Sequence, residues 1–244
     1  NAAQITLQFP IAVAADVLPD AFCADCAGKE IVAGWQVYSV NIATGTITAQ
    51  VSSAPAGGAA APLDGYTSLA DYDKDGDLDA IISANRQFGG GAATDVQVYV
   101  WDIQTPTVLA VSAVQSSPSF GSIGQANVGD FDGDGLLEVG SVIENQYIVF
   151  DDINTGLAVL WSKVTTDGSG FTGSVLFDFQ GDGEVEVVYG DEDSLYVYRG
   201  PNGVTQDAVL CRQNTLLNHP IVQDVNGDDH AEITSACSEN APRA

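Results

Sequence analysis

The stretch DFDGDGLLE, from Asp130 to Glu138, carries a carboxylate at its first, third, fifth and ninth positions and glycine at its sixth. Three others repeat it: DYDKDGDLD from Asp71 to Asp79, DFQGDGEVE from Asp178 to Glu186, and DVNGDDHAE from Asp224 to Glu232. Side-chain oxygens thus recur at alternate places: Asp71, Asp73, Asp75, Asp79; Asp130, Asp132, Asp134, Glu138; Asp178, Gln180, Asp182, Glu186; Asp224, Asn226, Asp228, Glu232. The seventh position is Asp77, Leu136, Glu184 or His230, and a place where Leu and His interchange offers only its backbone carbonyl. Alternating hard oxygen donors with one main-chain carbonyl are how calcium loops are built. Up to four bound calcium ions are predicted.

An ordinary surface turn needs one or two Asp or Gly residues. These loops hold three or four carboxylates in nine residues, whose mutual repulsion opposes compact folding without a counter-ion. An EF-hand shares the D-x-D-x-D-G opening but closes with a bidentate Glu at position twelve. Here that place is Ile82, Ser141, Tyr189 or Ser235, so the ninth-position acid must close the loop. Short β-branched and apolar runs follow each loop (AIISA, VGSVI, VVYG, ITSA), as strands do. Position six is Gly76, Gly135, Gly183 or Asp229; a left-handed backbone is expected there, with strain at Asp229.

The repeat extends past the loops. Turn-bearing segments recur as YSVNIATG (38–45), YVWDIQTP (99–106), VFDDINTG (149–156) and YVYRGPNG (196–203). The loops' first aspartates, at 71, 130, 178 and 224, are 46 to 59 residues apart, a period suited to four strands per unit. Alternating or short apolar runs such as VQVYVWDI and QYIVF, with no amphipathic helix of useful length, predict an all-β chain. A β-propeller of four-stranded antiparallel blades is the expected architecture.

The loops, with Phe120-Gly121 before one and Phe171-Thr172-Gly173 before another, resemble the FG-GAP or VCBS-type repeats of integrin α-subunit propellers and of many secreted bacterial proteins. That resemblance implies calcium-stiffened blades that do no chemistry, in a ring of about seven. It also implies a single segment over residues 1–244, with blades near 10–53, 63–112, 121–165 and 171–210 and a half-blade at 217–237. The trailing Gly-Ala-Pro of the integrin motif is replaced, for example by Gly140-Ser141-Val142. FPIAVAAD (9–16) matches HPIVQD (219–224), so a first repeat is expected whose loop has given way to the insert LPDAFCADCAGKE, with Asp16 as a remnant ligand. A lone strand is expected at Ile5–Phe9.

The net charge of −26, with seven basic residues, makes nucleic acid and anionic membrane surfaces poor partners. No apolar run is long enough to span a bilayer as a helix. Four cysteines fit an extracellular chain; of three pairings, Cys23 with Cys26 and Cys211 with Cys237 is favoured. The alternative, a redox C-x-x-C, normally opens a helix in a βαβ unit. His219 precedes a proline and His230 sits in a loop, so neither is placed for a triad, and glycines 89–91 read as a hairpin loop. The chain is therefore expected to be non-catalytic: a secreted or cell-surface adhesion, scaffold or assembly module. Its partners are expected to be a protein or glycan on the propeller face, or further copies of itself. A lectin-like carbohydrate module and the non-catalytic part of a polysaccharide-degrading enzyme are the alternatives. Trp101 and Trp161 read as core, and Trp35, near a hairpin turn, as the aromatic offered to a sugar.

Overall fold

The computed structural model describes residues 11–52, 65–85, 95–117, 122–153, 156–212 and 218–237. The strand expected at Ile5–Phe9, the glycines 89–91 and the Phe120-Gly121 pair lie outside them. Among the described residues there is no helix, and every strand but β9 pairs antiparallel with a sequence neighbour. The first sheet is β1 (Val13–Ala15), β2 (Glu30–Ala33), β3 (Gln36–Asn41) and β4 (Thr46–Ser52). The second is β5 (Tyr66–Ala70), β6 (Asp79–Asn85), β7 (Asp95–Asp102) and β8 (Thr107–Val111), with β9 (Gln115–Ser116) pairing back onto β7. The third is β10 (Asn127–Gly129), β11 (Glu138–Ile143), β12 (Gln146–Asp152) and β13 (Leu157–Val164). The fourth is β14 (Ser174–Phe177), β15 (Glu186–Gly190), β16 (Ser194–Tyr198) and β17 (Thr205–Leu210). A pair, β18 (Ile221–Gln223) and β19 (Glu232–Thr234), makes the last.

Burial grades across each sheet. The second strands β6, β11 and β15 are buried along their length, their apolar residues interleaved with a few buried polar ones such as Asp79, Ser83 and Glu138. Outer strands meet water: β17 is exposed at all six residues, and β4 over Thr46–Ala49. The turns between third and fourth strands are fixed by short polar side chains, which mimic backbone turns. Asn41 Oδ1 accepts the Thr44 N–H at 3.0 Å, and Asp102 Oδ1 accepts that of Thr105 at 2.9 Å. The register of β3, β7 and β16 against the following strand slips once each, at Val37/Tyr38, Val100/Trp101 and Val197/Tyr198. These bulges are a repeat signature that residue identities alone do not announce.

The chain divides into two compact units, Asn1–Gly121 with Ile153–Leu157, and Ser122–Asp152 with Ala158–Ala244. In the first, Trp35, Trp101 and Tyr99 pack with Val17, Leu18, Val32, Val37 and Ile82. Trp35 is therefore not a surface aromatic, contrary to the sequence expectation: it is 2% exposed, edge-on to Tyr99 at 5.3 Å between centroids. Its hairpin turns inward because the preceding Gly34 N–H binds Thr67 Oγ1 of the next sheet at 2.8 Å, which seats the indole. Trp101 and Trp161 are buried as expected. In the second unit Trp161, Tyr147, Tyr189 and Tyr198 gather around Phe131 and Val187.

Within each unit, first strands of successive sheets lie together: β1 by β5, β10 by β14, and β14 by β18. Polar ties join them, such as Asn127 Nδ2 to the Ser174 carbonyl at 2.8 Å and the Gly173 N–H to the Asn218 carbonyl at 3.1 Å. Both disulfides have the favoured pairing, Cys23–Cys26 and Cys211–Cys237.

Candidate metal centres

Each acidic loop joins the first strand of a sheet to the second, and the register is the same four times. The residue before the loop pairs with the ninth-position acid: Ala70 with Asp79, Gly129 with Glu138, Phe177 with Glu186, Gln223 with Glu232. The ninth-position side chain then reaches back across the loop. One of its oxygens accepts the N–H of the second loop residue: Tyr72 at 2.9 Å, Phe131 at 2.6 Å, Phe179 at 3.0 Å and Val225 at 2.9 Å. The other has no hydrogen-bond partner at Glu138, whereas Glu186 Oε1 accepts from Gln206 Nε2 at 3.3 Å and Glu232 Oε1 from Asn226 Nδ2 at 2.9 Å.

Successive local turns aim the remaining odd positions the same way. The fifth-position aspartate accepts the seventh residue's N–H in all four loops, from Asp77, Leu136, Glu184 and His230. The first-position aspartate caps the turn: Asp130 accepts from Gly133 at 2.7 Å and Gly135 at 2.9 Å, and Asp178 and Asp224 do likewise. These amide donors, Gly183 foremost for Asp178 and Gly227 for Asp224, hold both carboxyls below the usual carboxylate range. Position six is left-handed throughout, Asp229 included at φ 67°. Position four is left-handed too, at Lys74, Gly133, Gly181 and Gly227, which the sequence expectation missed although three of the four are glycine.

Carboxylate oxygens meet within 4.8 Å of one another in three loops: Asp71, Asp73 and Asp79; Asp130, Asp132 and Glu138; Asp224, Asp228 and Glu232. The second is the most confined. Glu138 is wholly buried, and Oε1, the oxygen not bound to Phe131, has no hydrogen-bond partner. Burial, and then the charges of Asp132, Asp130 and Asp134, raise its pKa to about 7 against the pull of the Phe131 N–H. Asp79 is raised to about 7 for the same first reason, and Asp71 Oδ1 is buried without a partner.

In loops three and four an amide stands at position three. One end of the Gln180 amide lies 2.6 Å from both Glu186 oxygens; with nitrogen inward it donates to each. With oxygen inward it would set three acceptors side by side, which is stable only around a cation. Asn226 Nδ2 donates to Glu232 Oε1 at 2.9 Å and Asp228 Oδ2 at 3.2 Å. The fourth loop stays open to water, with Asp224 and Asp228 exposed.

Position seven needs one correction. Leu136 and His230 point outward, and the Glu184 side chain pairs with Arg199 at 3.4 Å, as a carbonyl-only position requires. The Asp77 side chain instead turns inward, its Oδ1 buried and unpartnered, and forms a second group with Asp79 and Asp102 within 4.8 Å. Asp is short and ionic where Leu and His are not, and the fold supplies Asp102 from the end of β7 opposite it. Asp102 escaped the sequence reading because its neighbours marked it only as a turn residue.

No family model and no curated protein matches the sequence. Among solved structures, the chain is similar to the V. cholerae biofilm matrix protein Bap1, with a TM-score of 0.53 and 14% identity over 92% of this chain. This chain spans 59% of the length of that one. Rhamnogalacturonan lyase YesW (TM-score 0.40, 11% identity, 84% of this chain and 48% of that) is more distant. So is an Agrocybe aegerita lectin specific for non-reducing terminal N-acetylglucosamine (0.37, 17%, 93% and 74%). At these identities the likeness to Bap1 speaks for the fold alone.

Proposed function

We propose that this chain is a calcium-stabilised, non-catalytic adhesion or assembly module, working outside the cell, whose sheets are blades of an FG-GAP-like propeller. The observation that carries the reading is Glu138: a wholly buried carboxylate, bound on one oxygen only, with carboxylate oxygens of Asp130 and Asp132 within 4.8 Å of it. A buried anion left half-partnered costs several kcal/mol unless a counter-charge meets it. A hard divalent cation among carboxylate and carbonyl oxygens supplies that charge. Asp71, Asp73, Asp75 and Asp79 would hold one ion, Asp130, Asp132, Asp134 and Glu138 a second, and the sets from Asp178 and Asp224 the others.

The ion's chemistry here is neutralisation and cross-linking, clamping each first strand to its second. Four would bring the formal charge from −26 to −18. Side-by-side first strands and graded burial toward outer edges support the blade arrangement. The two disulfides and the millimolar calcium of extracellular fluids, which matches weak modular sites, support the location. The fold likeness to a biofilm matrix protein is compatible with adhesion or assembly, and the broad acidic surface suits a partner with basic or neutral contacts.

A melting scan in excess calcium and after chelation tests this. Each site filled at a hundredfold over its dissociation constant adds about 2.7 kcal/mol, so chelation is expected to lower the midpoint substantially. An unchanged midpoint would sink the reading.

A further inference from the structure

The first sheet has no acidic loop, yet it contains a closing carboxylate. Ala15 pairs with Glu30 across β1 and β2 as Gly129 pairs with Glu138, which puts Asp16 in the place of Asp130. Glu30 Oε2 accepts the N–H groups of Val17 at 3.0 Å and Leu18 at 3.2 Å, Val17 being the residue after Asp16 just as Phe131 follows Asp130. Glu30 is wholly buried beside Val17, Leu18 and Val32, and its Oε1 has no hydrogen-bond partner. That is the state of Glu138, reproduced in a sheet whose loop sequence hides it. Thirteen residues separate Asp16 from Glu30 where seven separate Asp130 from Glu138, and the longer stretch is closed on itself by Cys23–Cys26.

We propose that Glu30 and Asp16 close a fifth divalent-cation site, seated beneath the disulfide-bearing insert. The inference rests on the calcium reading of the four loops. Two backbone donors hold Oε2, which leaves Oε1 as a buried carboxyl oxygen without a hydrogen-bond partner in an apolar setting, the place a cation would fill. Asp16, exposed at the end of β1, brings the second carboxylate, and carbonyls of the insert with water supply the other oxygens a hard cation accepts. The insert replaces the local turns of the other loops and leaves the two ends of their ligand set.

The test is a metal count on the full chain after equilibrium dialysis against calcium, for the wild type, Glu138→Gln and Glu30→Gln. Gln mimics a protonated acid but cannot replace an anionic ligand. The expected result is loss of one equivalent in each variant. Asp16→Asn, on the surface, avoids any folding defect from Glu30→Gln and is expected to weaken one equivalent at least tenfold in a calcium titration. Retention of the wild-type count by Glu30→Gln and an unchanged titration of Asp16→Asn, while Glu138→Gln loses its ion, overturns the fifth site and leaves the four loops standing. A wild type that takes up no calcium overturns both.

Discussion

Phe131 donates its N–H to Glu138 Oε2 at 2.6 Å, while Glu138 Oε1, equally buried, receives nothing. The two oxygens of one carboxylate thus have separate duties, one to the backbone and one to whatever enters the loop. Glu138→Gln should therefore change sign with conditions. In chelator, removing a half-partnered buried charge is expected to leave stability unchanged or raised. In saturating calcium the variant is expected to fall short of the wild type by about 2.7 kcal/mol at a hundredfold over the site's dissociation constant. Denaturant titrations in both buffers check this.

The same burial sets a pH dependence. Asp79 and Glu138 have pKa values raised to about 7 in the folded chain, above those of unfolded carboxyls near 4. Below pH 4 both are protonated in either state and contribute nothing. As pH rises from about 4 to about 7, ionisation is easier in the unfolded chain, so stability of the metal-free protein is lost across that window and levels off above it. Calcium needs the ionised forms, so its affinity rises over the same window. Melting in chelator and in calcium from pH 4 to 8 should give curves that diverge with rising pH; parallel curves would contradict the assignment.

Gly227 has φ +80°, and a Cβ built on it meets nothing within 4 Å. Gly227→Ala therefore isolates backbone strain, and a loss of about 1–2 kcal/mol is expected. Asp229, two residues on at φ 67°, offers the reverse experiment. Asp229→Gly relieves the strain but adds freedom to the unfolded chain, so the net gain should stay within about 1 kcal/mol. Chemical denaturation in chelator separates these effects from metal affinity.

The disulfides should differ in weight. Cys211 and Cys237 are 26 residues apart in sequence, and closing a loop of that size is worth about 3.5 kcal/mol of chain entropy. Cys23 and Cys26, three apart, are worth about half as much. Cys211→Ala with Cys237→Ala is expected to destabilise the protein about twice as much as the Cys23, Cys26 double variant, as read by denaturation midpoints.

The strands and loops were legible because they rest on local rules. Alternation and β-branching mark β6 and β11, and the spacing from Asp130 to Glu138 survives folding unchanged. Asp229 in the left-handed region could be foreseen for the same reason, since a turn's backbone depends on position rather than on distant partners. What escaped depends on contacts across the fold. Trp35 sits in a turn-like sequence but is drawn inward by Tyr99 and Trp101, and Asp102 meets Asp77 and Asp79 only once β7 lies against β6. Glu30 was hidden by an insert that stretches its spacing from Asp16, and only the Ala15–Glu30 pairing restores the correspondence.

Gln180 and Asn226 have a consequence for how this molecule would respond when ions are scarce. An amide shows nitrogen to its acidic neighbours as readily as oxygen to a metal, so the third and fourth loops carry a spare latch, an internal hydrogen bond that needs no ion. Asp73 and Asp132, acids at the same place, have no such reversible end. Depletion would then slacken the front of the chain before its tail, a staged softening that amide exchange could follow segment by segment.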